Sequence, residues 1–195
     1  MEELLKTIAK MIAEIQRQIN VLRNFILPPK TPEYIILHHT GGTDANPLTD
    51  TSHHTFEIVN EWHRQKWNFP SQLSKSGEMA KIINHPHSYI GYQYLITKDG
   101  TIHRGRLDTE EGAHTIGQNK NSVGIALAGN FDRPLTWPNN KPTKEQIDSL
   151  RVLLTNLVVK YQIPIKKILP HRNFAKYKSC FGNNLPDTFG QDILA

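Results

Sequence analysis

Apolar residues recur at alternating intervals of three and four along the first 26 residues. The series is Leu5, Ile8, Ile12, Ile15, Ile19, Leu22 and Ile26. This spacing predicts an amphipathic, coiled-coil-like helix over residues 1–27. Because isoleucine at both core positions of a heptad favours three or more copies, we expect a homo-oligomer formed through this helix. The alternative is that the helix folds back on its own domain.

Beyond a proline-rich linker at residues 28–33, strand-like and helix-like segments alternate. Runs rich in β-branched and aromatic residues predict strands, and apolar residues at helical spacing predict helices. The predicted elements are a strand at 34–37, a helix at 55–67, a hairpin of strands at 90–96 and 101–104, a strand at 122–128 and a helix at 143–161. Residues 68–89 form a long polar connection, and the chain after 161 is predicted to be loop-rich. This order indicates an α/β domain over residues 34–195, with a single mixed central β-sheet flanked by helices.

Composition changes this picture little, but charge limits the partners. The 195 residues carry a formal net charge of +5 without a run of lysine and arginine. This balance favours an anionic partner such as a cell-wall polymer or a membrane surface, and we expect no nucleic-acid partner. No apolar run reaches the roughly 18 residues that a membrane span needs. Because Glu2 and Glu3 open the chain and a signal peptide is not visible, we expect synthesis in the cytoplasm and export by another route.

Two adjacent histidines, His38 and His39, follow the first predicted strand, just before Thr40 and a glycine pair. Successive side chains of a strand point to opposite faces, so at most one of the two histidines enters a given site. The single cysteine, Cys180, follows His171 by nine residues and excludes an internal disulfide. His38, His171 and Cys180 offer the nitrogen and sulfur ligands that Zn²⁺ prefers, with a fourth position left open as in catalytic sites. Spacing alone leaves open that the histidine pair is structural and that the thiol is inert.

A series of short blocks occurs in a fixed order along residues 34–182. The blocks are Ile36-Leu37-His38-His39-Thr40, Glu61-Trp62-His63, Gly91-Tyr92-Gln93-Tyr94, Asp99-Gly100-Thr101-Ile102 with Gly105-Arg106, Gly112-Ala113-His114-Thr115, Asn121-Ser122-Val123-Gly124-Ile125-Ala126-Leu127, Gly129-Asn130-Phe131-Asp132, and His171 with Lys178-Ser179-Cys180. The ordered set resembles the zinc-dependent type 2 N-acetylmuramoyl-L-alanine amidases, which share their fold with peptidoglycan recognition proteins and phage amidase-type lysozymes. The resemblance implies a hydrolase that cleaves the amide bond between N-acetylmuramic acid and L-alanine in peptidoglycan.

The same resemblance implies roles for individual residues. The zinc ligands of the family match His38, His171 and Cys180, which leaves His39 on the opposite face of the strand. Tyr92 matches the tyrosine beside the metal-bound water, and Lys178 matches the lysine near the scissile carbonyl. Both are therefore predicted to be catalytic.

The sequence also departs from its relatives. Ala126 stands where some bacterial amidases have a glutamate base, so the chain resembles the branch that relies on tyrosine and lysine. Phe181 follows the cysteine where many relatives have proline. The long connection at 68–89 is expected to border the substrate groove. Candidate substrate contacts are His114, Trp67 and Asn130.

The expected setting is a phage or prophage endolysin that is released by a holin or carried in a particle. The alternative is a peptidoglycan-binding module of the same fold without activity. A third hypothesis, a thiol hydrolase that uses Cys180 with His171, leaves His38 without a role.

Overall fold

The computed structural model divides the chain into two units, residues 1–30 and 31–195. In the first unit the described residues are helical, and the side chains of Ile8, Met11, Ile12 and Ile15 are exposed within the single chain. The other heptad positions and linker residues 28–30 lie outside the described residues, so the coiled-coil prediction remains untested. The structure describes residues 3, 7, 8, 11, 12, 15, 31–43, 45–71 and 88–195.

The second unit contains a mixed central sheet. Its strands are β1 (Tyr34–His39), β2 (Tyr94–Ile96), β3 (Ile102–Arg104), β4 (Ser122–Leu127) and β5 (Ile168–Pro170). The order across the sheet is β3-β2-β4-β1-β5. β1 lies between β4 and β5 and is parallel to both, whereas β3 pairs antiparallel with β2 as the predicted hairpin. The expectation of a single mixed sheet is confirmed.

Helices flank this sheet, and their ends follow from local sequence. They are α1 (Phe56–Trp67), α2 (Lys144–Tyr161) and the short α3 (Phe189–Asp192). The Thr55 hydroxyl accepts a hydrogen bond from the backbone of Ile58 at the start of α1. A reciprocal capping box between Thr143 and Gln146 begins α2. Both helices therefore start where the sequence supplies acceptors for otherwise unpaired backbone N–H groups.

Successive residues of β4 enter two different hydrophobic cores, with Ile125 in the larger core and Ala126 in the smaller one. Ile35 and Leu37 belong to the larger core, which includes Leu150 and Leu154 of α2. The smaller core contains Phe56 and Val59 of α1, together with Ile90, Leu95 and Ala126. Because the sheet is covered on both faces, β1 is a nearly continuous apolar run until its two histidines.

Apart from element ends that shift by one or two residues, the structure differs from the sequence prediction in two places. Strand β2 starts at Tyr94 and not at residue 90, since the Gly91 carbonyl oxygen accepts a hydrogen bond at 2.9 Å from the backbone of Ala113, which lies outside the sheet. The C-terminal part, predicted to be loop-rich, also contains β5 and α3. A three-residue strand that ends in proline is too short to show a period. Residues 72–87 of the long connection, with His85-Pro86-His87, lie outside the described residues.

Candidate metal centre and active site

The register of β1 against β5 brings two histidines to the same edge of the sheet. Leu37 pairs with Pro170, so the next residues, His38 within β1 and His171 directly after β5, lie side by side. Their ring centroids are 4.5 Å apart. The carboxyl ends of parallel strands are where open α/β sheets bind ligands, and this edge is therefore the natural place for a site.

Strand geometry separates His38 from its neighbour His39. His39 accepts a hydrogen bond from the Phe131 backbone on Nδ1 at 3.0 Å, and its Nε2 lies 3.7 Å from the Asp132 carboxylate. The His38 ring points to the other face, with its centroid 5.0 Å from that of Tyr92. The alternation of β1 thus directs only His38 toward His171.

The loop that carries Cys180 is fastened from two sides. Arg172 donates from its backbone to the Cys180 carbonyl oxygen at 2.6 Å and from its guanidinium to the Gly182 carbonyl oxygen at 2.8 Å. Asp132 accepts hydrogen bonds from the Ser179 hydroxyl and from the Asn183 backbone. These contacts hold the cysteine at the carboxyl ends of the strands. Arg172 lies in none of the sequence blocks, and Asp132 had no role assigned to it beyond membership of one block.

The three predicted ligands meet in a geometry that fits zinc. One donor atom from each of His38, His171 and Cys180 lies within 4.8 Å of the others. The His38 Nδ1 and Cys180 Sγ atoms are 3.6 Å apart. With zinc–nitrogen and zinc–sulfur bonds of about 2.0 and 2.3 Å, the N···S edge of a tetrahedral site is about 3.5 Å. The donor set and this spacing therefore match a zinc site with three protein ligands.

Burial sets the protonation of these side chains. It lowers the pKa of His38 well below its usual value, and burial together with Lys178 lowers the pKa of His171 to about 4. Both imidazoles are thus neutral near pH 7 and keep a lone pair for a metal. Burial raises the pKa of the Cys180 thiol to about 12. Since a cysteine nucleophile needs a lowered pKa, this environment does not favour the thiol-hydrolase hypothesis.

Tyr92 and Lys178 stand next to the cluster. Tyr92 is half-buried, and burial, followed by the nearby Cys180, raises the pKa of its hydroxyl. The phenol therefore stays protonated and acts as a hydrogen-bond donor at neutral pH. Lys178 is exposed at the rim and close enough to lower the pKa of His171. The neutral Tyr92 hydroxyl and the positively charged Lys178 side chain thus face the same space beside the cluster.

That space is a cavity of about 750 Å³, bordered by the five predicted metal and catalytic residues. Trp67 and His114, two of the predicted substrate contacts, also border it. Asn130 does not: it is fully buried, and its amide donates to the Pro47 and Thr49 carbonyl oxygens at 2.9 Å each. These hydrogen bonds give Asn130 a structural role, because they fix the loop that follows β1.

Other groups on the cavity rim were missed as site residues. Trp62, Ile116 and Tyr177 border the cavity, and the last two are 89 % and 81 % exposed. Trp62 lies in one of the sequence blocks, which is the only signal that pointed to it. Ile116 and Tyr177 carry no local pattern and are recognised only by their exposure beside the cluster.

A mixed sheet with a His, His, Cys cluster beside a tyrosine and a lysine has the donors of a catalytic metal site in a hydrolase. The chain belongs to the N-acetylmuramoyl-L-alanine amidase family, whose model matches residues 28–183. The expectation from the sequence blocks is thereby confirmed at the level of the family and the fold.

Relatives of two kinds are similar to this chain. The endolysin of Escherichia phage T7 is 40 % identical over 73 residues, which are 37 % of this chain and 48 % of that protein. Peptidoglycan-recognition protein SC2 of Drosophila simulans is 33 % identical over 152 residues, 74 % of this chain and 78 % of that protein. The chain spans about half the length of the T7 and T3 phage endolysins it matches.

Solved structures share the fold. The endolysin N-acetylmuramoyl-L-alanine amidase LysCS from Clostridium intestinale has a TM-score of 0.59 and 29 % identity, with 84 % of each chain covered. A point mutant of Drosophila PGRP-LB in complex with tracheal cytotoxin has a TM-score of 0.55 and 23 % identity, with 80 % of this chain and 78 % of that chain covered. Among the described residues, the structure shows no helix of the length and apolarity needed to cross a bilayer.

Proposed function

We propose that this chain is a zinc-dependent amidase that hydrolyses the bond between the lactyl group of N-acetylmuramic acid and L-alanine in peptidoglycan. The observation that carries the proposal is the convergence of His38, His171 and Cys180 within 4.8 Å beside Tyr92. Zinc bound there would supply a Lewis acid that lowers the pKa of a water molecule and polarises the amide carbonyl.

The protein's own residues divide the remaining work. The two neutral histidines and the cysteine would hold the ion. The protonated Tyr92 hydroxyl donates a hydrogen bond to the carbonyl oxygen as negative charge develops on it, and the Lys178 ammonium stabilises the same charge. Hydrolysis breaks the carbon–nitrogen bond, so the lactyl carboxylate and the free amino group of L-alanine are the products. We also propose that Tyr92 assists proton transfer during the hydrolysis.

The cavity rim supplies the surface for the glycan or stem peptide. Trp67 is 46 % exposed and borders the cavity, with its ring against His63 at 4.5 Å between centroids. An exposed aromatic ring next to a reacting centre offers a stacking surface for sugar or peptide. We keep Trp67 as a substrate contact in this proposal.

The setting we propose is a phage or prophage endolysin, supported by the similarity to the T7, T3 and KP32 phage endolysins. Such a protein reaches the wall after release by a holin or as part of a particle. We further propose three segments: an N-terminal helix (1–27), a linker (28–33) and the amidase domain (34–195).

Mass analysis of purified peptidoglycan digested by the protein tests the proposal. We expect peptides with a free L-alanine amino terminus, abolished by a chelator and restored by zinc. Cleavage of any other bond, or undiminished cleavage in the chelator, contradicts the proposal. The alternative function is a non-catalytic peptidoglycan-binding module, which the similarity to peptidoglycan-recognition proteins supports. Binding of peptidoglycan and zinc without cleavage would indicate that alternative.

Two variants test the assigned catalytic roles. Tyr92→Phe and Lys178→Ala should fold and bind zinc, yet lose on the order of a hundredfold or more in rate. Tyr34→Phe and Lys176→Ala make the same chemical changes at positions that do not border the cavity, and should retain the wild-type rate. Full activity in the first pair removes Tyr92 and Lys178 from the mechanism.

A further inference from the structure

The His38 imidazole is held at both of its nitrogen atoms. Nδ1 lies 3.6 Å from Cys180 Sγ, while Nε2 lies 3.0 Å from Nδ1 of His114. The Thr115 hydroxyl oxygen flanks this second contact, 3.0 Å from His114 Nδ1 and 3.4 Å from His38 Nε2. One side of the ring thus faces the metal cluster, and the other faces a second histidine.

The position of His114 is itself built into the fold. A Cβ atom on Gly112 would lie 2.4 Å from the His114 ring, and one on Gly124 would lie 2.7 Å from it. Such distances are far below van der Waals contact, so both positions must be glycine for the ring to fit its slot. Asn119 Oδ1 accepts hydrogen bonds from the backbone N–H groups of His114 and Thr115 at 2.9 and 2.7 Å. The ring therefore has little freedom to turn into the cavity toward a substrate.

We propose that His114 is a positioning residue for the metal centre, acting through His38. A neutral imidazole carries one N–H group. If Nδ1 of His38 binds zinc, Nε2 carries the proton and donates it in a hydrogen bond to His114 Nδ1. This bond fixes which nitrogen of His38 ligates and sets the plane of its ring, as the outer partners of metal-bound histidines do. The inference rests on the proposed zinc site, and it replaces a substrate contact as the role of His114.

Two variants of equal shape test this role. His114→Asn places an acceptor oxygen where Nδ1 stands, and His114→Leu fills the same branched volume without an acceptor. Zinc affinity is measured by competition with a chromophoric chelator, and thermal unfolding of the metal-free proteins checks the fold. We expect His114→Leu to bind zinc about 10 to 100 times more weakly and His114→Asn to stay within a few-fold of the wild type.

A control and a spectrum separate the possible outcomes. His103→Ala removes a half-buried histidine that contacts the Thr97 hydroxyl outside the cavity, and it should leave zinc affinity unchanged. Long-range ¹H–¹⁵N spectra of the zinc-loaded wild type should show the His38 proton on Nε2. Equal zinc affinities for the Asn and Leu variants, or a proton on Nδ1, overturn the inference. A wild-type protein that binds no zinc contradicts the proposed function itself.

Discussion

Arg106 is the largest fully buried side chain among the described residues, and its replacement gives a sharp test of what holds the fold together. Its guanidinium pairs with Glu110 at 3.0 Å and donates to the carbonyl oxygens of Phe69 and Ile90 at 2.6 and 2.7 Å. Phe69 lies at the start of the long connection between α1 and β2, and Ile90 directly follows its end. One cation therefore joins both ends of that connection to the loop after β3.

Arg106→Met keeps a long apolar side chain but removes the charge and every donor. The Phe69 and Ile90 carbonyl oxygens lose these hydrogen bonds, and the buried Glu110 carboxylate loses this cation. Removing one partner of a buried ion pair costs about 3–5 kcal/mol. For a chain of 195 residues, each kcal/mol shifts Tm by about 2–4 °C, so we expect a decrease of about 6–20 °C.

Urea denaturation at 25 °C and thermal unfolding provide the measurement, and Arg64→Met is the matched control. Arg64 makes two hydrogen bonds of 2.7 and 2.6 Å to Glu61, but more than a third of each of these two side chains is exposed to solvent. Because solvent screens exposed pairs, we expect its Tm to stay close to that of the wild type. A loss below about 1 kcal/mol for Arg106→Met, or equal losses for both variants, would refute the reasoning.

Three further outcomes follow from the site and the pattern of the chain. Cys180→Ser should weaken zinc binding because a hydroxyl is a poorer zinc ligand than a thiolate, whereas His39→Ala should keep near-stoichiometric zinc; metal analysis showing the reverse contradicts the assignment of strand faces. Burial lowers the pKa of His63 to about 3, while an unfolded histidine has a pKa of about 6.5. The unfolded state therefore binds more protons between these values, and the free energy of unfolding should fall as pH drops from 6.5 toward 3. Denaturation at several pH values in this range should show that the free energy of unfolding depends less steeply on pH in His63→Asn than in the wild type. An equally steep dependence in both proteins contradicts the prediction. The heptad spacing of residues 1–27 predicts a trimer or larger assembly, which light scattering of the full-length protein at micromolar concentration would show, and a monomeric mass contradicts it.

The sequence predicted the main elements because their information is local. The alternation in β1, the spacing in α1 and α2 and the turn before β3 depend on neighbours within about four residues. Strand β5 was missed, although its register places His171. A three-residue strand ending in Pro170 has no period of its own, and its pairing depends on β1, more than 130 residues earlier.

The candidate site divides in the same way. Strand alternation determined that at most one of His38 and His39 enters the site, and the resemblance carried by the ordered blocks assigned that place to His38 and indicated the family. Only the tertiary structure decided that Asn130 is buried away from the cavity and that His114 faces His38. Both outcomes depend on burial and on contacts between residues 76 or more positions apart, and no local pattern along a chain records such distances.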